Sequence, residues 1–286
     1  MFSATPNPSA LRVFWEASTN SLKKGNDVKK YMLAMMAGAL LALGGTAHAE
    51  KTRVGFAPEA YPPFWVADAN GNWTGWEVEI IDAVCAEAKL DCERAPVAWE
   101  GIIPALLGGK IDMIMNSMRI NDERRKVIDF SDKYYEVPTV VVAAKSATVD
   151  TTPESMDGKV IGVQVSTGQQ AYAEKNFGAS ASEIRGYNTQ DEVYQDLAAG
   201  RIDVAIDGVV AMNEFLKSAS GAECCESKGV LKRDPSTLGE GYGVGLRKGD
   251  DALKAKINGA IAVIRKNGTY DAITKKYFDF DIYGGD

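Results

Sequence analysis

Histidine is almost missing from this chain: it occurs once in 286 residues, at His48. No multi-histidine metal site can be built from it, and no Ser-His-Asp or Cys-His arrangement outlives its loss with the leader described below. Cysteine is scarce too. The four present are Cys85, Cys92, Cys224 and Cys225, and none stands in a Cys-x-x-Cys spacing. A thioredoxin-type site and a zinc knuckle are therefore unsupported. Clusters of basic residues are absent. Lys and Arg number 32 against 39 Asp and Glu, a formal charge of −7, which argues against a nucleic-acid partner. What is present fits a soluble globular protein with ample core, at 45% hydrophobic and 25% charged residues. The length suits two domains, or one large one.

The first 49 residues do not read as fold. Lys29-Lys30 precede a short apolar run from Tyr31 to Gly45, closed by Thr46-Ala47-His48-Ala49. That is a basic n-region, an apolar h-region and an Ala-x-Ala cleavage signal. The run is too short for a comfortable bilayer span, and no later run resembles one. Residues 1–49 are expected to be a leader cleaved after Ala49, which places the protein in the periplasm. Residues 1–27 precede the n-region, which suits initiation at Val28. Residues 50–286 hold 27 basic and 37 acidic side chains, a net of −10, and no histidine.

Export permits disulfides. A helical pattern carries Cys85, and Cys92 opens a strand-like run. A helix turning back into a strand can bring the two within bridging distance; the alternative is two free buried cysteines. The state of adjacent Cys224 and Cys225 is open.

Short β-branched runs alternate with amphipathic patterns from Thr52 onward. Strands are expected at 52–57, 97–99, 110–115, 137–144, 159–165, 183–187, 201–206 and 243–247. Helices are expected at 77–89, 101–107, 169–177, 190–199, 250–267 and 269–278. Such alternation implies parallel sheets with helices on both faces, an α/β fold. Two segments share one design: Leu106-Leu-Gly-Gly-Lys110-Ile-Asp112 and Leu197-Ala-Ala-Gly-Arg201-Ile-Asp203. The repetition suggests two similar α/β lobes, with a ligand at the strand C-termini between them.

An ordered set of motifs then becomes specific: Tyr61-Pro-Pro-Phe64, Gly75-Trp-Glu-Val-Glu79, the Cys85/Cys92 spacing and Trp99-Glu-Gly-Ile-Ile-Pro104. Ile120-Asn-Asp-Glu-Arg124, Gly162-Val-Gln-Val-Ser-Thr167, Gly200-Arg-Ile-Asp203 and the end from Asp271 through Tyr277-Phe-Asp-Phe-Asp-Ile-Tyr-Gly-Gly285 complete it. Over essentially all of 52–285 the chain resembles periplasmic amino-acid-binding proteins of ABC importers (solute-binding protein family 3), nearest the lysine/arginine/ornithine-, histidine- and opine-binding branch. The resemblance implies a two-lobed fold whose lobes are mainly parallel sheets flanked by helices and joined by a two-strand hinge. Lobe 1 would take residues 50–137 and 238–286, and lobe 2 residues 141–232. The crossovers would fall near 138–140 and 233–237.

Site residues follow in the same terms. Arg124 lies in the first helical turn after Asn121, a good N-cap, where the family binds the ligand carboxylate through paired hydrogen bonds. Asn116 and Ser117 end a buried strand and match the family's small ligand contacts. The next contact is small in the family, but this chain has Arg119, which either faces solvent or reads a second acid on the ligand. Tyr61 and Trp99 match the aromatic pair that holds a cationic side chain. Glu77 aligns with an acid kept for a distal amine, whereas Glu59 is displaced by one place. Thr167, Gly168 and Gln169 open a helix whose free N–H groups suit a carboxylate; the family commonly has a hydroxyl residue at Gly168. The family's α-amine aspartate aligns with Gly208, one place after Asp207. Either a bulge rescues Asp207 or the ligand lacks a free primary amine, as opines do.

The implied function is solute binding for an ABC permease at the inner membrane, by a monomer with no cofactor, no metal and no covalent chemistry. The ligand would be a polar, cationic amino acid or an opine-like derivative. Two rival readings are a cyclohexadienyl (arogenate or prephenate) dehydratase on the same fold and a periplasmic sensor input.

Overall fold

The computed structural model describes residues 51–284. The expected leader and its cleavage after Ala49 lie outside the described residues. The described chain opens with β1 (Thr52–Phe56), a hairpin of β2 (Val66–Ala67) and β3 (Trp73–Thr74), α1 (Trp76–Glu87), β4 (Cys92–Pro96), α2 (Ile102–Leu107) and β5 (Met113–Ile114). Next come α3 (Asp122–Val127) and β6 (Asp129–Tyr135). The chain then enters a second sheet with β7 (Thr139–Ala144), β8 (Val160–Gln164), α4 (Gly168–Phe177), β9 (Glu183–Tyr187), α5 (Gln190–Ala198) and β10 (Val204–Gly208). It continues through α6 (Val209–Lys217), α7 (Ala219–Cys224) and β11 (Cys225–Val230), and returns with β12 (Tyr242–Leu246), α8 (Asp251–Lys266) and α9 (Thr269–Thr274).

The strand orders are β4-β1-β5-β12-β6 and β11-β7-β10-β8-β9. In each sheet three strands are parallel, β4-β1-β5 and β9-β8-β10. The remaining two pairings in each are antiparallel. The antiparallel strands arise where the chain crosses between sheets. β7 follows directly from the first sheet and β12 from the second, so each enters its new sheet against the local direction.

The repeated segments do the same job in both sheets. Gly109 and Gly200 sit at φ 69° and 68°, a left-handed turn that glycine reaches without the Cβ penalty. Asp112 then accepts from the Arg53 N–H at 2.9 Å, and Asp203 from the Val160 N–H at 2.8 Å. Each aspartate thus ties its strand to the central parallel strand. Ile111 and Ile202 fill the space above Gly55 and Gly162, where an added Cβ would come within 2.3 Å of the isoleucine Cδ1.

Both faces of each sheet are covered. Val141 and Ala143 of β7 pack with Ile161, Tyr172 and Phe177, whereas Val140 and Val142 pack with Val193, Leu197 and Met212. A strand buried on both faces must be apolar through its middle, as Val140–Ala143 is. Pro138 cannot donate to the ladder, and β7 starts one residue after it rather than at 137. In the first sheet Trp76, Ile80, Ile81, Ile257 and Ile261 form one core, and Ile102, Leu106, Ile128 and Phe130 the other. Cys85, on the buried face of α1, is bonded to Cys92 at the start of β4, with Cα atoms 6.1 Å apart. Cys224 is bonded to Cys225 where α7 meets β11.

Candidate ligand-binding cleft

The parallel strands of both sheets end at a common cleft lined by residues of both, the place where ligands of such sheets bind. On the first wall, β5 runs on into Asn116 and Ser117. Asn116 Oδ1 accepts from the Ala57 N–H at 2.8 Å, which fixes the amide's orientation. Ser117 holds φ 49°, an uncommon conformation for a non-glycine residue. The carboxylate of Glu77 secures it by accepting from its N–H at 2.7 Å and its hydroxyl at 2.9 Å. Asn121 caps α3 as expected, its Oδ1 accepting from the Arg124 N–H at 2.9 Å.

On the second wall, Thr167 caps α4 by accepting from the Gln170 N–H at 3.0 Å. Asp207 lies inside β10, and its side chain reaches the cleft even though the alignment favoured the next position. It accepts from Tyr61 Oη, Gln169 Nε2 at 2.9 Å and Tyr194 Oη at 2.9 Å. Hydrogen bonds span the cleft from Tyr61 to Asp207, from Trp99 Nε1 to the Val165 carbonyl at 3.1 Å, and from Arg124 Nη2 to the Ser166 carbonyl at 2.9 Å.

The cleft gathers Tyr61, Trp99, Asn116, Ser117, Arg119, Arg124, Thr167, Gly168, Gln169 and Asp207, with Glu59 on its wall. Glu77 corrects the sequence reading. It does not line the cleft; it is fully buried behind Ser117, where Tyr134 also donates to it. Burial lifts its pKa to about 7, against the lowering effect of the hydrogen bonds from Tyr134 and Ser117. It props the wall and does not face a ligand. Tyr242, Gln190 and Trp65 line the cleft without having been expected there. Tyr242 had no local signal, since only the sheet brings β12 beside Arg119, whose guanidinium carbon lies 4.5 Å from its ring centroid.

The electrostatics are lopsided. Arg119 and Arg124 are 5% and 8% exposed. Among the described residues, no carboxylate pairs with either at ion-pair distance. Arg124 donates through Nη1 to the Arg119 carbonyl at 2.9 Å and lies 5.3 Å from the Trp99 ring centroid. Burial, then the neighbouring Arg119 charge, pulls its pKa down to about 10. Asp207 is 3% exposed, and burial pushes its pKa up. Three buried side-chain atoms of the lining residues have no partner, and all three are donors: Asn116 Nδ2, Arg119 Nε and Gln190 Nε2. A buried donor without an acceptor costs free energy until something accepts from it. Among the described residues, no group of His, Cys, Asp or Glu gathers as a metal site would.

Two sheets of matching design, facing one donor-rich cleft with charged groups from both walls, define a two-lobed solute-binding protein. The profile of the bacterial extracellular solute-binding proteins, family 3, matches residues 52–280, and the chain belongs to that family. It is 37% identical over 261 residues to the lysine/arginine/ornithine-binding periplasmic protein of Escherichia coli (strain K12), covering 90% of this chain and 100% of that one. Among solved structures, an ancestral arginine-binding protein bound to arginine superposes with a TM-score of 0.73 at 32% identity, over 81% of this chain and 100% of that one. An ancestral amino acid-binding protein, a precursor of cyclohexadienyl dehydratase, gives 0.69 at 29% identity, over 80% and 95%.

Proposed function

We propose that this protein is the extracytoplasmic binding component of an ABC importer, taking up a polar amino acid or amino-acid derivative and presenting it to the permease. The observation that carries this is Arg124, a buried guanidinium with no carboxylate of its own, set beside the start of α4 on the opposite wall. A ligand carboxylate fits there, held by paired hydrogen bonds from Arg124 and by the free N–H groups of Gly168 and Gln169. Its side chain would run between Tyr61 and Trp99. Glu59 is the acid on that wall available to a cationic end, because Glu77 is occupied behind Ser117. The lobes take residues 50–137 with 238–286, and 141–232. The ligand closes them because it touches both walls only when they meet. The protein acts in the periplasm as a monomer.

The same arrangement favours binding over catalysis. A dehydratase needs an acid free to protonate a leaving hydroxyl. Of the two carboxyls that line the cleft, Asp207 has its oxygens occupied by Tyr61, Gln169 and Tyr194, which leaves Glu59 alone for that role.

A thermal-shift screen of amino acids and N-substituted derivatives tests the reading. A specific ligand at about 100 times its Kd adds roughly 2.7 kcal/mol to native stability. If no amino-acid-type compound raises the melting temperature, the reading fails. Turnover of prephenate or arogenate to an aromatic product would replace it with the enzyme.

A further inference from the structure

Arg119 is buried and does not face solvent; its side chain runs to the two crossovers. Its main chain pairs with Tyr242 on the first wall, and its guanidinium carbon lies 4.5 Å from the centroid of that ring. Nη2 donates to Thr139 Oγ1 at 2.8 Å, where the chain enters the second sheet, and Nη1 to the Leu238 carbonyl at 3.0 Å, where it returns. The two passages also meet each other, the Leu231 N–H donating to the Thr139 carbonyl at 2.8 Å. On the opposite wall the start of α4 rests against the Arg119 stem. A Cβ added at Gly168 would come within 3.2 Å of Arg119 Cδ and 2.5 Å of the Thr237 carbonyl oxygen. The two departures from the family pattern, a large residue at 119 and none at 168, therefore fit each other.

We infer that Arg119 is a positioning residue that fixes the pivot of the cleft, tying both crossovers to the first wall so that the start of α4 returns to one place beside Arg124. This rests on the binding reading above and concerns how that cleft closes. A guanidinium is a rigid planar fork, so one side chain can hold acceptors on two separate passages of the chain in fixed geometry; a lysine ammonium is a point charge on a flexible stem and does not. With Thr139 and Leu238 both held, rotation is confined to the short stretches beyond them, near 140 and 233–237, and the walls have one path to follow. That path ends at the carboxylate site. Gly168 comes to rest on the Arg119 stem. The Arg119 carbonyl accepts from Arg124 Nη1 at 2.9 Å, while Arg124 Nη2 reaches the Ser166 carbonyl at 2.9 Å. One residue thus sets both the hinge and the seating of the arginine that faces the ligand. Without the fork, the crossovers keep only their backbone bonds, and the walls meet over a spread of angles.

Double electron–electron resonance between nitroxide labels at Asn70 and Glu174, exposed positions on the two lobes, tests this. A keto amino acid carries the labels, so the disulfides stay intact. The purified protein is compared with R119M, R119K, T139V and the double variant R119M/T139V, with and without L-arginine as the probe. R119M should widen the distribution of distances between the lobes, with T139V and R119K lying between it and the wild type. The double variant should be no wider than R119M, because T139V then removes a bond already lost. Stopped-flow fluorescence should show arginine leaving R119M about tenfold faster, as the loss of two charge-assisted hydrogen bonds allows, with association changed by less than about threefold. A wild-type width in R119M overturns the inference, and so does a double variant as wide as the two single effects combined. Weaker arginine binding at unchanged width also overturns it and places Arg119 on the ligand. A lower melting temperature at unchanged width overturns it and leaves a structural role. If R119M does not fold, a wild-type width in T139V is the overturning result. The widths without arginine decide the inference by themselves, so failure of arginine to bind any of these proteins counts against the amino-acid reading alone.

Discussion

The Tyr61 hydroxyl reaches both oxygens of Asp207, at 3.1 and 3.0 Å, across the cleft and 146 residues along the chain. One residue comes from the loop after β1 and the other from β10 of the second sheet. The contact holds the walls together and occupies the acid that a ligand amine would seek. Binding an amine here therefore exchanges a tyrosine donor for an ammonium donor. The site's net gain must come from groups that have no partner to give up, and these are Asn116 Nδ2, Arg119 Nε and Gln190 Nε2.

Replacing Arg124 with Ala is expected to abolish ligand binding with the fold intact. Truncating a buried, hydrogen-bonded charge partner costs about 2–5 kcal/mol of affinity. Calorimetry against the ligand found by screening reads the loss, and circular dichroism reads the fold. Affinity within threefold of wild type would place the carboxylate elsewhere.

Trp99→Ala is expected to weaken a ligand with a cationic side chain by about 1–2 kcal/mol, or roughly tenfold. Trp99→Phe keeps a ring face and loses the indole donor to the Val165 carbonyl. Its affinity should fall between the other two. If both variants lose the same amount, the donor and not the ring is what matters.

Glu77 sets a pH dependence of stability. An unfolded glutamate titrates near 4.5, and burial raises the folded value to about 7. Between these values the folded chain keeps a proton that the unfolded chain has released. Stability therefore falls as pH rises from about 4.5 to about 7 and levels off above, by on the order of 3 kcal/mol. Glu77→Gln stays neutral throughout and still offers an amide oxygen to Ser117 and Tyr134. Urea midpoints at pH 5 and pH 7.5 should differ less in the variant than in the wild type. The raised pKa of Asp207 acts with the same sign in both proteins and does not alter the comparison. Equal slopes would mean that Glu77 is ionised throughout.

Removing the Cys85–Cys92 bridge by serine at both positions should cost about 2–3 kcal/mol on the chain-entropy estimate and lower the melting temperature by several degrees. Ligand affinity should hold, because the bridge joins the C-terminal part of α1 to the start of β4, whereas the cleft lies beyond the other end of that strand. An unchanged melting temperature would show that the cross-link adds nothing.

What the sequence discloses is local chemistry. Asn121 and Thr167 announce their helix starts by side-chain type alone, and both caps form. The place of Arg124 in the first turn of α3 follows from Asn121, whereas its ligand role comes from the resemblance alone. The Gly-basic-Ile-Asp repeat is legible because the same residues recur at the same spacing, although the bonds of its aspartates reach strands 59 and 43 residues away. Glu77 is not legible in this way. α1 buries Trp76, Val78, Ile80 and Ile81 around it, and a glutamate among those is identified as a buried support only once Ser117 and Tyr134 are in place. β6 and β11 are hidden for another reason: Asp129, Ser131, Asp132 and Lys133, and then Glu226, Ser227 and Lys228, interrupt the apolar runs that mark a strand. Asp207 falls inside β10 because that strand starts at Val204, later than its apolar run begins.

The position of β12 governs when the first sheet can form. It lies between β5 and β6, pairing with both, yet it is synthesised after every strand of the second sheet. Until it emerges, β5 and β6 have no strand between them, and the nascent first lobe is left with a gap in its middle. The second lobe's parallel strands and their helices are by then complete. A chain built in this order keeps one lobe open until its final segment arrives.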